Sequence, residues 1–194
     1  MLIGIDLDDT IAATFEPYFV YAHKWCLEKE IINFNTTITI KNYHNVEDML
    51  NMTDKQKNKF ELAYHNQIIA NVYPKTLAKT VLSMLANDNH QIFILTARSN
   101  ITKQTQLITK KWLKYYKLTY HKLIFDCNNK AQACKAYNIQ CFLDNDPKNC
   151  LAVSNSGITT YIFHTYWNQN FTNKKVKRVY SWWDFYQQIQ KAQI

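Results

Sequence analysis

MLIGIDLDDT, residues 1–10, decides how this chain is read. Its apolar run is what a buried strand requires, and three carboxylates, Asp6, Asp8 and Asp9, crowd the end of that run. Side by side they repel one another and lose hydration unless a cation or a shared proton relieves them. Alternation along a strand turns Asp6 and Asp8 to the same side, toward an open chain end, so the pair can grip one divalent ion. A lone Asp-x-Asp is also what a strand running into an acidic turn looks like. The rest of the chain tips the reading toward a site.

At 194 residues, 47% hydrophobic and 14% aromatic, the chain can bury a core for one domain plus an inserted subdomain. The first charge is Asp6, and no apolar stretch nears the roughly eighteen residues a membrane span needs, so neither a secretory signal nor an anchor is expected. A cytoplasmic location without membrane contact follows as the expectation. Five cysteines, Cys26, Cys127, Cys134, Cys141 and Cys150, form no Cys-x-x-Cys pair, which suits free thiols in a reducing compartment. The net charge of +8 favours phosphate-bearing partners. The lysines are scattered, however, and only KKVKR, residues 174–178, is a tight run. With no groove-reading or stacking motif, a nucleic-acid partner is not expected. Gly4 and Gly157 are the only glycines, which excludes Gly-rich phosphate loops.

Short apolar runs with β-branched residues recur at 2–6, 91–96, 122–125, 140–144 and 159–164, and the segments 75–86, 103–116, 130–137 and 148–153 between them have helical spacing. This rhythm predicts a Rossmann-like, doubly wound α/β fold with a parallel sheet of about five strands. Chemistry in such a fold gathers just past the strand ends. Residues 13–72 are far longer than a crossover needs and predict a small helical cap inserted after the first strand. The core domain is then 1–12 and 73–194. Within the insert, NFNTTITI at 33–40 reads as a short strand or a loop, and SWWDFYQQIQK at 181–191 reads as a capped amphipathic helix with its tryptophans on the sheet.

The residues after successive strands supply each part of a phosphoryl-transfer site. Asp6 can attack phosphorus and form an acyl phosphate that water hydrolyses. Asp8 can protonate the leaving alkoxide and then deprotonate that water. Magnesium suits Asp6, the Asp8 carbonyl and Asp144. The Thr96 hydroxyl and the Ala97 amide can donate to phosphate oxygens, and Lys130 adds a compact positive charge. Lys122 competes for that role but starts a predicted strand at the far end from the site. Arg98 can reach a substrate phosphate or base, or form a surface salt bridge.

DLDDT, then LTARS, then a helix-opening lysine, then FLDND resembles the four motifs of the haloacid dehalogenase superfamily of phosphohydrolases. The resemblance spans nearly the whole chain, and the superfamily places its helical cap where residues 13–72 lie. The 5′(3′)-deoxyribonucleotidase group and its bacterial nucleotidase-like relatives are the most similar, through YWNQNF and RVYSWWDF as well. The resemblance implies Asp6 as nucleophile, Asp8 as general acid and base, Thr96 and Lys130 as phosphate binders, and Asp144 as the final magnesium ligand. Many relatives carry two adjacent acids at the fourth motif. Here Asn145 follows Asp144, and Asp146 is left as an outer acid whose role is open.

The expectation is therefore a magnesium-dependent phosphomonoesterase for a small phosphorylated substrate, a (deoxy)ribonucleoside monophosphate, with Phe15 and Tyr18 stacking on the base or serving as cap core. The rivals are a 3′-phosphatase on nucleic-acid ends, a sugar-phosphate phosphatase, and a non-catalytic phospholigand-binding protein.

Overall fold

The computed structural model describes residues 1–31, 46–98, 102 and 104–192. Six strands form one parallel sheet: β1 (Leu2–Asp6), β2 (Gln91–Leu95), β3 (Lys122–Ile124), β4 (Cys141–Asp144), β5 (Thr159–Phe163) and β6 (Val176–Val179), in the order β3-β2-β1-β4-β5-β6. Their apolar runs lack the polar alternation of one-sided strands because helices cover both faces. Five strands fall where the sequence rhythm puts them. The sixth, the edge strand β6, begins inside the basic run 174–178, which the sequence rhythm did not mark as a strand. Val176 and Val179 turn inward there while Lys177 stays exposed, the charge pattern that protects a sheet edge from further pairing.

The helices α4 (Ala78–Asn87), α5 (Thr105–Tyr115), α6 (Lys130–Ala136), α7 (Pro147–Asn155) and α8 (Trp182–Lys191) flank the sheet. Helix α8 is capped by Ser181, which accepts from the Asp184 amide, as its sequence predicts. Its two tryptophans part company. Trp182 is fully buried and its indole N–H donates to the Thr10 carbonyl at 3.0 Å, whereas Trp183 is 45% exposed.

Between β1 and α4 come α1 (Phe15–Glu28), α2 (Val46–Met49) and α3 (Asp54–Asn71). Helix α3 begins at a Thr53–Gln56 capping box, and α1 and α3 pack through Trp25 against Phe60, with the Tyr18 ring edge-on to Phe60. The chain on either side of these helices is zipped together: the Ala13 amide donates to the Tyr73 carbonyl at 2.9 Å and the Lys75 amide to the Ile11 carbonyl at 2.7 Å. On the α5 side, Asn66 bonds Thr102 and Thr105, and the Trp112 indole donates to the Val72 carbonyl. The segment 33–40 lies outside the described residues.

Register places the site. Strand β1 lies between β2 and β4, where successive connections leave in opposite directions, the position at which doubly wound sheets open a crevice for ligands. Ile5 pairs with Leu143, so Asp6 and Asp144, one residue on, end neighbouring strands at the same level. Gly4 is needed one step back. A Cβ there would meet Ile139 and Leu95 side-chain atoms at 3.1 Å, so the face of β1 beneath the site is closed by packing.

Candidate active site

A cavity of about 240 Å³ sits on these strand ends, lined by Asp6, Asp8, Asp9, Ala97, Lys130 and Asp144, with Asn145, Asp146, Asn149 and Trp167 completing its wall. Lys130, the first residue of α6, extends its buried ammonium to Asp6 Oδ1 at 2.6 Å and also donates to the Leu95 carbonyl. Lys122 is elsewhere, its ammonium 4.2 Å from the Tyr137 ring centre. Asp144 accepts one hydrogen bond on each oxygen: Oδ1 from the Asp146 amide and Oδ2 from the Asn149 side chain, both at 2.9 Å.

Electrostatics separates the acids. Burial raises the proton affinity of Asp6, opposed by the Lys130 charge. Burial, then repulsion from Asp6, raises Asp144 well above the usual carboxylate range. Burial would raise Asp8 too, but the Arg98 guanidinium outweighs it and the net shift is downward. Arg98 grips both Asp8 oxygens, Nε to Oδ2 at 3.0 Å and Nη2 to Oδ1 at 2.7 Å, a bidentate pair that fixes the carboxylate plane. Its remaining nitrogen donates to Thr109 at 3.1 Å.

Asp9 leaves the acid cluster. A left-handed backbone, φ 53°, swings its carboxylate over the start of α1, where Oδ1 accepts from the Thr14 and Phe15 amides at 3.1 and 2.9 Å. Burial pushes its proton affinity up to about 6. Asp146 likewise caps a helix, accepting from the Lys148 amide at 2.7 Å ahead of Pro147 in α7.

Several expected residues stand apart from the cavity. Thr96 is fully buried, its hydroxyl accepting from the Arg98 amide at 3.1 Å, while Ala97 beside it is exposed to the cavity. Arg98 is 4% exposed, so a surface salt bridge is ruled out and its partner is Asp8. Tyr18 turns into the insert, where its hydroxyl bonds His65 Nδ1. Phe15 stacks on Trp167, ring centres 4.5 Å apart. The sequence reading missed His65, whose ring is buried near Asp8 and Arg98 and whose Nε2 has no hydrogen-bond partner. Nothing in the residues around it signals that position. All five cysteines are free and buried, and burial pushes Cys134 and Cys141 up to about 12, which leaves them poor nucleophiles.

Among the described residues no three acidic, histidine or cysteine side chains converge as a ready cation cage, because Asp8 turns its carboxylate to Arg98. The donor set still fits a hard cation. Two buried carboxylates, Asp6 and Asp144, end neighbouring strands at the same level, and the Asp8 carbonyl and Asp144 Oδ1 both lie within 3.3 Å of the Asn145 amide group once that amide is turned to donate. Asn145, one residue past Asp144, thus donates to both of these oxygens.

No protein-family model matches the chain. It is 25% identical over 189 residues to a protein from Clostridium acetobutylicum named a nucleotidase, covering 95% of this chain and 91% of that one. It is 26% identical over 190 residues to the nucleotidase-named YqfW of Bacillus subtilis, covering 93% and 89%. In fold it matches a HAD-superfamily hydrolase of subfamily IA from Geobacter sulfurreducens, with TM-score 0.65, 10% identity and 98% of each chain covered. A haloacid dehalogenase-like hydrolase from Streptococcus pneumoniae matches with TM-score 0.66, 13% identity and 97% and 98% coverage. The fold is like that of these haloacid dehalogenase-like hydrolases, and in sequence the chain is similar to proteins named nucleotidases.

Proposed function

We propose that the protein is a magnesium-dependent phosphomonoesterase that hydrolyses a small nucleotide through a phosphoaspartyl intermediate on Asp6. The observation that carries this reading is the buried Asp6 carboxylate at the end of the central strand, held by Lys130 at 2.6 Å and level with Asp144. Asp6, Asp144 and the Asp8 carbonyl would hold the cation, which would lower repulsion between Asp6 and the phosphate dianion.

In this mechanism Lys130 fixes the attacking oxygen of Asp6 and balances charge as the phosphoryl group approaches, and the exposed Ala97 amide donates to a phosphate oxygen. Attack by Asp6 forms the new P–O bond as the ester oxygen departs and takes a proton from Asp8. An entering dianion raises the proton affinity of Asp8 by like-charge repulsion, against the downward pull of Arg98. Asp8, ionised again, then removes a proton from the water that hydrolyses the acyl phosphate. Residues 13–72, with α3 fastened to α5, serve as the cap that restricts the substrate to a small molecule.

The test is a panel of nucleoside monophosphates and sugar phosphates, with and without magnesium. Turnover of nucleotides that disappears on chelation, and that Asp6→Asn reduces at least about a thousandfold, is expected. Equal rates for wild type and Asp6→Asn defeat the reading.

A further inference from the structure

A second cavity, of about 340 Å³, adjoins the first and shares Asp9 and Trp167 with it. Its size falls within the roughly 300–1,000 Å³ of small-molecule pockets. Phe15 comes to its wall from the first turn of α1, whose amide is held by Asp9. Lys75 comes from the chain just past the insert, and His164, Thr165, Tyr166 and Trp167 from the loop after β5.

That loop is a rigid platform. Asn168, 1% exposed, donates to the Phe163 and Asn145 carbonyls, both at 2.8 Å, and Arg178 donates to the Asn168 side chain at 2.7 Å. The loop is thereby fastened to the residue that follows Asp144. Two features of the platform lack partners within the fold. The Tyr166 ring is 70% exposed at the rim, and the buried Thr165 hydroxyl, only loosely over the Asn168 amide, has no partner of normal hydrogen-bond geometry. The two cavities meet at Asp9 and Trp167, and beyond that junction the second offers an aromatic wall with polar groups at its edge.

We propose that the second cavity is the leaving-group subsite and takes the heteroaromatic base of a nucleoside monophosphate whose phosphate lies on Asp6 and Lys130. This rests on the phosphomonoesterase reading of the first cavity and adds where selectivity resides. Flat rings stack on Tyr and Trp faces whatever the base, and their edges accept from hydroxyl, imidazole and ammonium groups. Phe15 and Trp167 already cover one another, and a sugar alone would leave the exposed Tyr166 face open, so the subsite favours nucleotides over sugar phosphates.

The experiment compares wild type, Tyr166→Ala and Tyr166→Phe for KM and kcat on nucleoside monophosphates and on glycerol phosphate, together with calorimetric binding of the free nucleosides. Unfolding midpoints serve as a check on folding. Tyr166→Ala is expected to raise KM for nucleotides about tenfold more than KM for glycerol phosphate, and to weaken nucleoside binding by a similar factor, with Tyr166→Phe restoring both. Equal changes on the two substrates, or nucleoside binding indifferent to the ring, overturn the subsite. If wild type binds nucleosides through Tyr166 but hydrolyses no phosphate ester, base binding in the second cavity stands while its leaving-group role and the phosphatase reading fall. If it does neither, both fall.

Discussion

Asp6 and Asp8 lie two residues apart on one strand end, and each faces a buried cation, yet the two pairs behave oppositely. Asp6 is buried and gives one oxygen to Lys130, so desolvation wins and its proton affinity rises. Asp8 keeps 40% of its side chain exposed and gives both oxygens to Arg98, so the cation wins and its proton affinity falls. Identical residues are thus divided by surroundings: one is a shielded carboxylate beside a compact ammonium, the other a plane fixed by a fork.

The sharpest way to break the comparison is to remove Lys130. Lys130→Met leaves Asp6 buried without its ion-pair partner and Asp144 without a nearby balancing charge, and should cost about 3–5 kcal/mol at pH 7, read by urea unfolding. Both acids have folded proton affinities above the unfolded value. Their favourable contribution is therefore complete at low pH and lost as pH rises, and the deficit of Lys130→Met should shrink toward pH 5. A deficit that grows in acid contradicts the assignment.

Arg98→Met should cost less, about 2 kcal/mol, because Asp8 can turn to water. The sign is reversed: the depressed Asp8 stabilises above its unfolded value and loses that contribution as pH falls, so wild type and Arg98→Met should converge in acid. In the pH–rate profile the variant should move the Asp8 limb upward in pH. The smallest effect concerns His65, the third charge-bearing group near Asp8. Burial, then the Arg98 charge, lowers it to about 4 from 6.5. Its neutral form stabilises above pH 6.5, and that contribution is lost as pH falls toward 4. Between pH 7 and 5 wild type should lose about 1–2 kcal/mol that His65→Gln does not.

The strands and their terminal acids were legible because a strand buried on both faces is written as an unbroken apolar run, and whatever polar group ends it must be there for a reason. Lys130 was legible over Lys122 because parallel strands all point the same way, which puts a strand's first residue at the wrong end. Strand β6 was not legible, since an edge strand keeps its outward charges and KKVKR shows those first. The separation of Asp9 from Asp6 and Asp8 needs a left-handed residue that any aspartate can adopt, so the three acids look alike on paper. Arg98 and His65 depend on neighbours 90 residues along the chain and on another helix, respectively, and pairing of that kind has no local signature.

The hydrogen bond from Trp182 to the Thr10 carbonyl joins partners 172 positions apart, one of them in the loop directly after the acids. On a ribosome the loop emerges early and its brace emerges late, so the turn beyond these acids stays unbraced while most of the polypeptide is still being made.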